Sequence, residues 1–98
     1  MNGSVYAVLI NSADRPVPND RVEGVLNGAK NWLRYSRDIY FVRTELDASA
    51  WYRRVRAVLH PDDLVMVIEA NENNRMGWVT QLAREWFENA SVALPFGE

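Results

Sequence analysis

The stretch IYFVRTELDASAWYRRVRAVLHPDDLVMVIEA, residues 39–70, decides the fold of this chain. Ile39–Val42 is a run of β-branched and aromatic residues and Leu64–Ile68 is continuously apolar, which predicts two strands covered on both faces. Between them, Asp47 is expected to cap a helix and Pro61 to stop it. The apolar residues of this helix recur with helical spacing, which predicts one buried stripe. They are Ala48, Trp51, Tyr52, Val55, Val58 and Leu59.

The composition indicates a single domain over residues 1–98. The chain is 48% hydrophobic and has four tryptophans, which is enough for a packed core. Its net charge of −2 gives no general attraction to nucleic acid or to anionic membranes. The absence of cysteine excludes disulfides, thiol catalysis and cysteine-ligated metals. No apolar stretch approaches the roughly 20 residues of a membrane span. No signal peptide is apparent either, so we expect a cytoplasmic protein that does not enter the membrane.

The first third of the chain predicts a second strand–helix unit. Residues 1–4, MNGS, read as a flexible or tag-like start, and Val5–Ile10 is a short apolar run typical of a central strand. Asp20 and Glu23 have the spacing of a capping box at a helix start. A mostly polar strand over Leu33–Arg37 is expected to follow this helix. The apolar positions assigned to the helix are Val22, Val25, Leu26, Ala29, Trp32 and Leu33.

Two such units in one chain predict an α+β fold of the ferredoxin-like βαββαβ type, with an antiparallel sheet and both helices on one face. Beyond this plan, Arg75–Val79 predicts a short C-terminal strand, and Thr80 is expected to cap a final helix. Residues 91–98 are too apolar for an ordinary solvated end. We expect them to pack on their own domain or on a second copy, with exchange at a dimer interface as one arrangement. The stripe of the final helix consists of Leu82, Ala83, Trp86, Phe87 and Ala90.

The face of the sheet away from the two helices predicts a contact with a second copy. Side chains alternate along a strand, so Ile39 and Phe41 point to one face and Tyr40 and Val42 to the other. Only one face is covered by the two helices, and an apolar patch left on the other indicates a partner surface. A twofold homodimer is the commonest solution. The alternative is that the final helix and the tail cover this face within one chain. The interface residues we predict are Tyr40, Val42, Val92, Leu94 and Phe96.

Residues 36–70 resemble the family of small CRISPR-associated integration-complex subunits, and more broadly the VapD-like and SinR-like small proteins of the same superfamily. The resemblance rests on the strand end Tyr40–Thr44, the helix end Leu59-His60-Pro61, the acidic pair Asp62-Asp63 and the apolar strand that follows. Residues 69–90, EANENNRMGWVTQLAREWFENA, are similar to the SinR-like branch, whose members carry a tryptophan turn and then a short helix containing tryptophan. The resemblance implies a ferredoxin-like homodimer and, as a setting, a defence or toxin–antitoxin system.

For some members the resemblance also implies a metal-dependent nuclease, acting on RNA or DNA, with a metal-binding aspartate at the end of the first strand. This chain has Asn11 at that position, followed by Ser12. An amide lacks the negative charge that Mg²⁺ or Mn²⁺ prefers. No metal or other cofactor is therefore expected unless Asp14, three residues further on, takes over the site.

Arginines supply the candidates for nucleic-acid binding. Arg53, Arg54 and Arg56 lie on the polar side of the second predicted helix, and Arg37 and Arg43 are near in sequence. A local basic surface can contact phosphates even on an acidic protein. The alternative is an ordinary solvated helix face, because acidic residues flank the same region.

Three functions are open on these observations. The first is a catalytically silent, dimeric module that acts through protein contacts or weak nucleic-acid binding. It is favoured by Asn11, the acidic balance and the apolar strands. The second is a metal-dependent endonuclease that uses Asp14. The third is a purely scaffolding or regulatory partner protein.

Overall fold

The computed structural model describes residues 3–12 and 14–91, which form four strands and three helices. Strand β1 begins at Ser4, one residue before the predicted apolar run. In chain order the elements are β1 (Ser4–Asn11), α1 (Asn19–Leu26), β2 (Asn31–Ser36), β3 (Ile39–Thr44), α2 (Ala48–Arg56), β4 (Leu64–Ala70) and α3 (Gln81–Ser91).

The four strands form one antiparallel sheet in the order β2-β3-β1-β4. Strands β1 and β3 are central, and β2 and β4 are the two edges. The register places Val8 opposite Tyr40 on one side and opposite Val67 on the other. The α+β class is confirmed, and the arrangement is compatible with a small ferredoxin-like fold.

The core lies between one face of the sheet and helices α1 and α2. Because side chains alternate, each strand sends every second residue to this face. Tyr40 and Val42 of β3 are fully buried here, as are Val22 of α1 and Trp51 of α2. Burying one large apolar side chain stabilises a fold by about 1.5–3 kcal/mol. The full cluster is Val8, Ile10, Val17, Val22, Leu26, Tyr40, Val42, Trp51, Val55 and Leu59.

Helix α2 begins where the sequence predicts it, but it ends at Arg56, before the predicted stop at Pro61. Asp47 is its N-cap, and Asp47 Oδ1 accepts a hydrogen bond from the Ala50 amide at 2.9 Å. Trp51 and Val55 are buried, one helical turn apart, whereas Tyr52 of the predicted stripe is exposed. The helix therefore buries a narrower stripe than the sequence pattern indicates.

Helix α1 is shorter than predicted and lacks the capping box. It ends at Leu26, and its N-cap residue, Pro18, makes no side-chain cap hydrogen bond. Glu23 instead accepts hydrogen bonds from Tyr40 Oη at 2.8 Å and from Arg34 Nη1 at 2.9 Å. Burial, together with the hydrogen bond to Glu23, raises the pKa of Tyr40 to about 12.

Strand β2 begins earlier than predicted, and this is why α1 stops. Trp32 and Leu33, assigned to the helix from the sequence, pair with Val42 and Phe41 of β3. An apolar Trp-Leu pair fits a helix stripe and a strand equally well. The hydrogen bonds of the β2–β3 ladder decide in favour of the strand.

The C-terminal third departs from the sequence prediction at two places. Residues 75–80 form no strand, so the predicted short strand over Arg75–Val79 is wrong. Strand β4 is an edge strand with one face open, so the expectation that Leu64–Ile68 is covered on both faces is wrong as well. The predicted cap of α3 is confirmed, since Thr80 Oγ1 accepts a hydrogen bond from the Ala83 amide at 3.2 Å.

One buried hydrogen bond joins α2 to the end of β3 and generates a testable prediction. Trp51 Nε1 donates to Thr44 Oγ1 at 2.9 Å, and the same hydroxyl accepts from the Leu46 amide at 3.0 Å. Thr44→Val leaves the indole N–H buried without an acceptor. We expect the free energy of unfolding, measured by urea denaturation, to fall by about 1–3 kcal/mol.

A double-mutant cycle provides the control. In a Trp51→Phe background there is no indole N–H that could lose its acceptor. Thr44→Val should therefore lower the free energy of unfolding clearly less than it does in the parent chain. Equal costs in the two backgrounds would show that the hydrogen bond contributes nothing to stability.

Candidate functional site

The α3 face is the face of the sheet opposite α1 and α2. Alternation and register place Leu9 of β1, Phe41 of β3 and Met66 of β4 on it. Helix α3 covers the β2–β3 half of this face. The rings of Phe87 and Phe41 meet edge to face at 5.1 Å, and those of Tyr35 and Phe41 at 5.8 Å. Among residues 3–12 and 14–91, no helix lies over the β4 half.

Three apolar side chains of β4 are exposed on the α3 face, and we call them the β4 patch. Leu64 is 65% exposed, Met66 58% and Ile68 51%. Met66 lies opposite Leu9 and Ile68 opposite Ala7 in the β1–β4 register, so the patch continues the apolar surface of β1. A contiguous exposed apolar surface is unusual on a folded monomer and typically marks an interaction site.

A groove of about 550 Å³ runs between the sheet and the segment that connects β4 to α3, and we call it the α3 groove. Its floor is apolar, and its wall on one side is α3, which contributes Arg84 and Phe87. At the rim, Trp78 is 98% exposed and Met76 is equally open. The floor residues are Ala7, Leu9, Ile39 and Phe41.

A nearly buried ion pair holds the connecting segment against the sheet. Arg43 of β3 donates two hydrogen bonds to the Glu72 carboxylate, each at 2.9 Å. Only 10% of the Arg43 side chain and 17% of the Glu72 side chain are exposed. The Arg43 guanidinium also lies 5.0 Å from the centre of the Trp86 ring of α3. Arg43 therefore cannot contact nucleic-acid phosphates as predicted, because its side chain is buried and two of its guanidinium nitrogens are bound to Glu72.

The other four predicted nucleic-acid contacts lie on two separate elements. Arg53, Arg54 and Arg56 belong to α2, and Arg37 lies in the turn between β2 and β3. On α2, Arg53 donates to Ser49 Oγ at 2.6 Å, and Arg56 donates to the carbonyl oxygens of residues 60 and 61. Arg54 lies 5.2 Å from the centre of the Trp51 ring. The α2 arginines thus support their own helix and its C-terminal turn.

Asn11, which the resemblance places at the position of a metal-binding aspartate, lies at the exposed end of β1, opposite Leu64. Ser12 follows it, and Asp14 is exposed and lies 3.8 Å from Arg15 Nη2. Within residues 3–12 and 14–91, no group of three or more histidine, aspartate or glutamate side chains is arranged to hold a metal ion.

Asp63 is the buried carboxyl next to this strand end. It accepts hydrogen bonds from Arg15 Nη1 at 3.1 Å and from the His60 amide at 3.0 Å, and so closes the turn before β4. Burial alone would raise the pKa of the Asp63 carboxyl. Hydrogen bonding from the His60 amide, the nearby Ser12 side chain and the charge of Arg15 outweigh it, so the pKa lies below its ordinary value. The groups around Asp63 suit a structural role.

The predicted dimer interface includes residues from the wrong face of β3. Tyr40 and Val42 are fully buried under α1 and α2, so they cannot face a second copy. The α3 face carries their neighbours Ile39 and Phe41 instead. The remaining predicted interface residues, Val92, Leu94 and Phe96, lie outside the described residues.

No protein-family model, curated protein or solved structure matches this chain. In the described part of the chain, no helix is both long enough and apolar enough to cross a membrane.

Sequence reasoning missed the β4 patch because the run LVMVI looks uniformly apolar. Its residue types do carry a signal. The shorter Val65 and Val67 face the helices, and the longer Leu64, Met66 and Ile68 face away. The alternation of shorter and longer side chains within this apolar run could have indicated an edge strand with one open face.

The ion pair of Arg43 and Glu72 gives the second testable prediction. Arg43→Met removes the cation and leaves the Glu72 carboxylate largely buried without its partner. We expect the free energy of unfolding in urea to fall by about 3 kcal/mol. Glu72→Gln in the same chain should restore part of this loss, because a neutral amide costs less to bury than a charge. No recovery in the double variant would show that Arg43 stabilises the fold by packing alone.

Asp63 gives a prediction for pH dependence. A carboxyl whose pKa is lowered by folding stabilises the fold above its unfolded pKa, which is about 3.9. That contribution is lost as the pH falls through the lower folded pKa. We expect Asp63→Asn to flatten the fall in unfolding free energy between about pH 5 and pH 2. The matched control is Asp62→Asn, which removes the neighbouring exposed carboxyl, and an equal flattening by this variant would contradict the prediction.

Proposed function

We propose that this chain is a non-enzymatic protein-interaction module of the ferredoxin-like type, which pairs with a second copy of itself through the α3 face. The observation that carries the proposal is the β4 patch. More than half of each of its three side chains is exposed on an edge strand. Natural proteins commonly protect such edges with charges, prolines or a covering element.

The β4 patch has a chemistry suited to self-association. The residues of β4 that point to the α3 face are Leu64, Met66, Ile68 and Ala70, and none of them is charged. Two copies can therefore meet there without repulsion between like charges. In a twofold antiparallel contact centred on Met66, Leu64 of each copy would face Ile68 of the other. This is the self-complementarity that a twofold interface requires.

The other functional candidates have less support. The arginines of α2 support weak nucleic-acid binding as a second mode of action. Arg43 does not contribute to this binding, because it is buried and paired with Glu72. No observation specifically favours the metal-dependent endonuclease that would use Asp14. The resemblance to CRISPR-associated and VapD-like proteins indicates the kind of biological system in which the proposed dimer would act. In a defence or toxin–antitoxin system, the dimer would act as a scaffolding partner.

The test is the mass of the chain in solution before and after a charge is placed in the β4 patch. By sedimentation equilibrium at several concentrations, we expect the parent chain to show twice the 11.3 kDa mass of one copy. Met66→Glu should weaken the dimer at least about tenfold, since two carboxylates would face each other at the centre of the contact.

The matched control is Tyr52→Glu, which introduces the same charge at an exposed apolar residue of α2, on the other side of the sheet. It should leave dimerisation unchanged, and both variants should keep the circular dichroism spectrum of the folded parent chain. A monomeric parent chain, or equal weakening by the two variants, would overturn the proposal.

A further inference from the structure

The α3 groove is a second surface feature, which adjoins the β4 patch along β1. Its apolar floor comes from the central strands β1 and β3, and its rim carries the nearly fully exposed Trp78 and Met76. Exposed aromatic and methionine side chains around an apolar floor are typical of a surface that receives another segment of polypeptide.

The charged residues that line the groove indicate which charge a bound segment would carry. Glu72 lines the groove, but its carboxylate is neutralised by the two hydrogen bonds from Arg43. Two exposed arginines also line the groove, Arg84 on the α3 wall and Arg75 in the connecting segment, so the lining is positively charged. The occupant that suits this lining is an extended chain with apolar side chains along its length and a carboxylate at one end.

Residues 92–98 of this chain, which lie outside the described residues, have this chemistry in their sequence. They read VALPFGE, with Val92, Leu94, Phe96 and Glu98 at every second position. An extended chain places alternate residues on the same side, so the three apolar side chains and the carboxylate would face the groove together. Pro95 has no N–H to donate. The contact would therefore rely on side chains and not on a strand ladder.

The chain can reach the groove from the end of α3. Helix α3 is itself the wall of the groove, and Ser91 follows Phe87 by one helical turn, or about 6 Å. Seven extended residues span at most about 25 Å, and the whole structure measures 39 × 28 × 21 Å. A segment joined covalently so close to its site has a high effective concentration there. We propose that the α3 groove is the docking site for residues 92–98 of the same chain.

Disulfide trapping tests this directly, because the chain contains no cysteine. Gly97→Cys places a thiol in the segment without removing any of its four groove-facing residues. Gly77→Cys places one in the groove, where an added Cβ would meet only Val79 Cγ1 at 3.7 Å, an ordinary contact. The matched control is Gly24→Cys on α1, where an added Cβ meets nothing within 4 Å.

In the full-length chain under mild oxidation, the pair at positions 77 and 97 should form an intramolecular disulfide at least about tenfold faster than the pair at positions 24 and 97. The product is read on non-reducing gels and by mass spectrometry. Equal rates for the two pairs would overturn the proposal. Predominant formation of covalent dimers would overturn it as well, because the groove would then hold the segment of a second copy.

A charge exchange tests the role of Arg84. Adding Glu98→Arg to the pair at positions 77 and 97 should slow trapping about twofold to fivefold, the range for an exposed ion pair. Adding Arg84→Glu to that variant should restore the rate. If trapping is not slowed, Arg84 is not the partner of the Glu98 carboxylate. Because trapping is measured within one chain, its failure is distinguishable from loss of the dimer in the Met66→Glu experiment.

Discussion

The pairing of Arg43 with Glu72 under the Trp86 ring is the interaction on which the α3 face depends. Taking a charged pair out of water is costly, and the cost is offset only where the geometry is good. Here two parallel hydrogen bonds of 2.9 Å and an aromatic ring at 5.0 Å provide that geometry. The contact joins three parts of the chain: strand β3, the segment after β4, and α3. It thereby sets one wall of the α3 groove.

The two faces of the sheet are consequently unequal. Helices α1 and α2 cover the core face, where Tyr40 and Val42 of β3 are fully buried and Val65 and Val67 of β4 pack against the core. On the other face one helix, α3, packs over Phe41 and leaves β4 open. An edge strand with uncharged, exposed side chains is a liability for an isolated molecule and an asset for one that binds a partner. Both proposals for this chain follow from that asymmetry.

The local chemistry of the site could be predicted where it depends on neighbours in sequence. The Asp47 and Thr80 caps form as expected, because a cap requires only a suitable side chain three residues before an unpaired amide. The capping box at Asp20 and Glu23 did not form, because Glu23 makes long-range hydrogen bonds to Tyr40 and Arg34. Arg43 was misassigned for the same reason, since its partner Glu72 is 29 residues away.

The sequence by itself determined the α+β class, helix α2 with its buried Trp51 and Val55, and the alternation that separates Tyr40 from Phe41. These features are set by periodicity and capping over a few residues. Only the tertiary structure decided which face of β3 is buried, where α1 ends, and that β4 keeps an open face. The physical reason is that periodicity fixes which side chains share a face. Which face is then covered depends on packing between elements far apart in the chain.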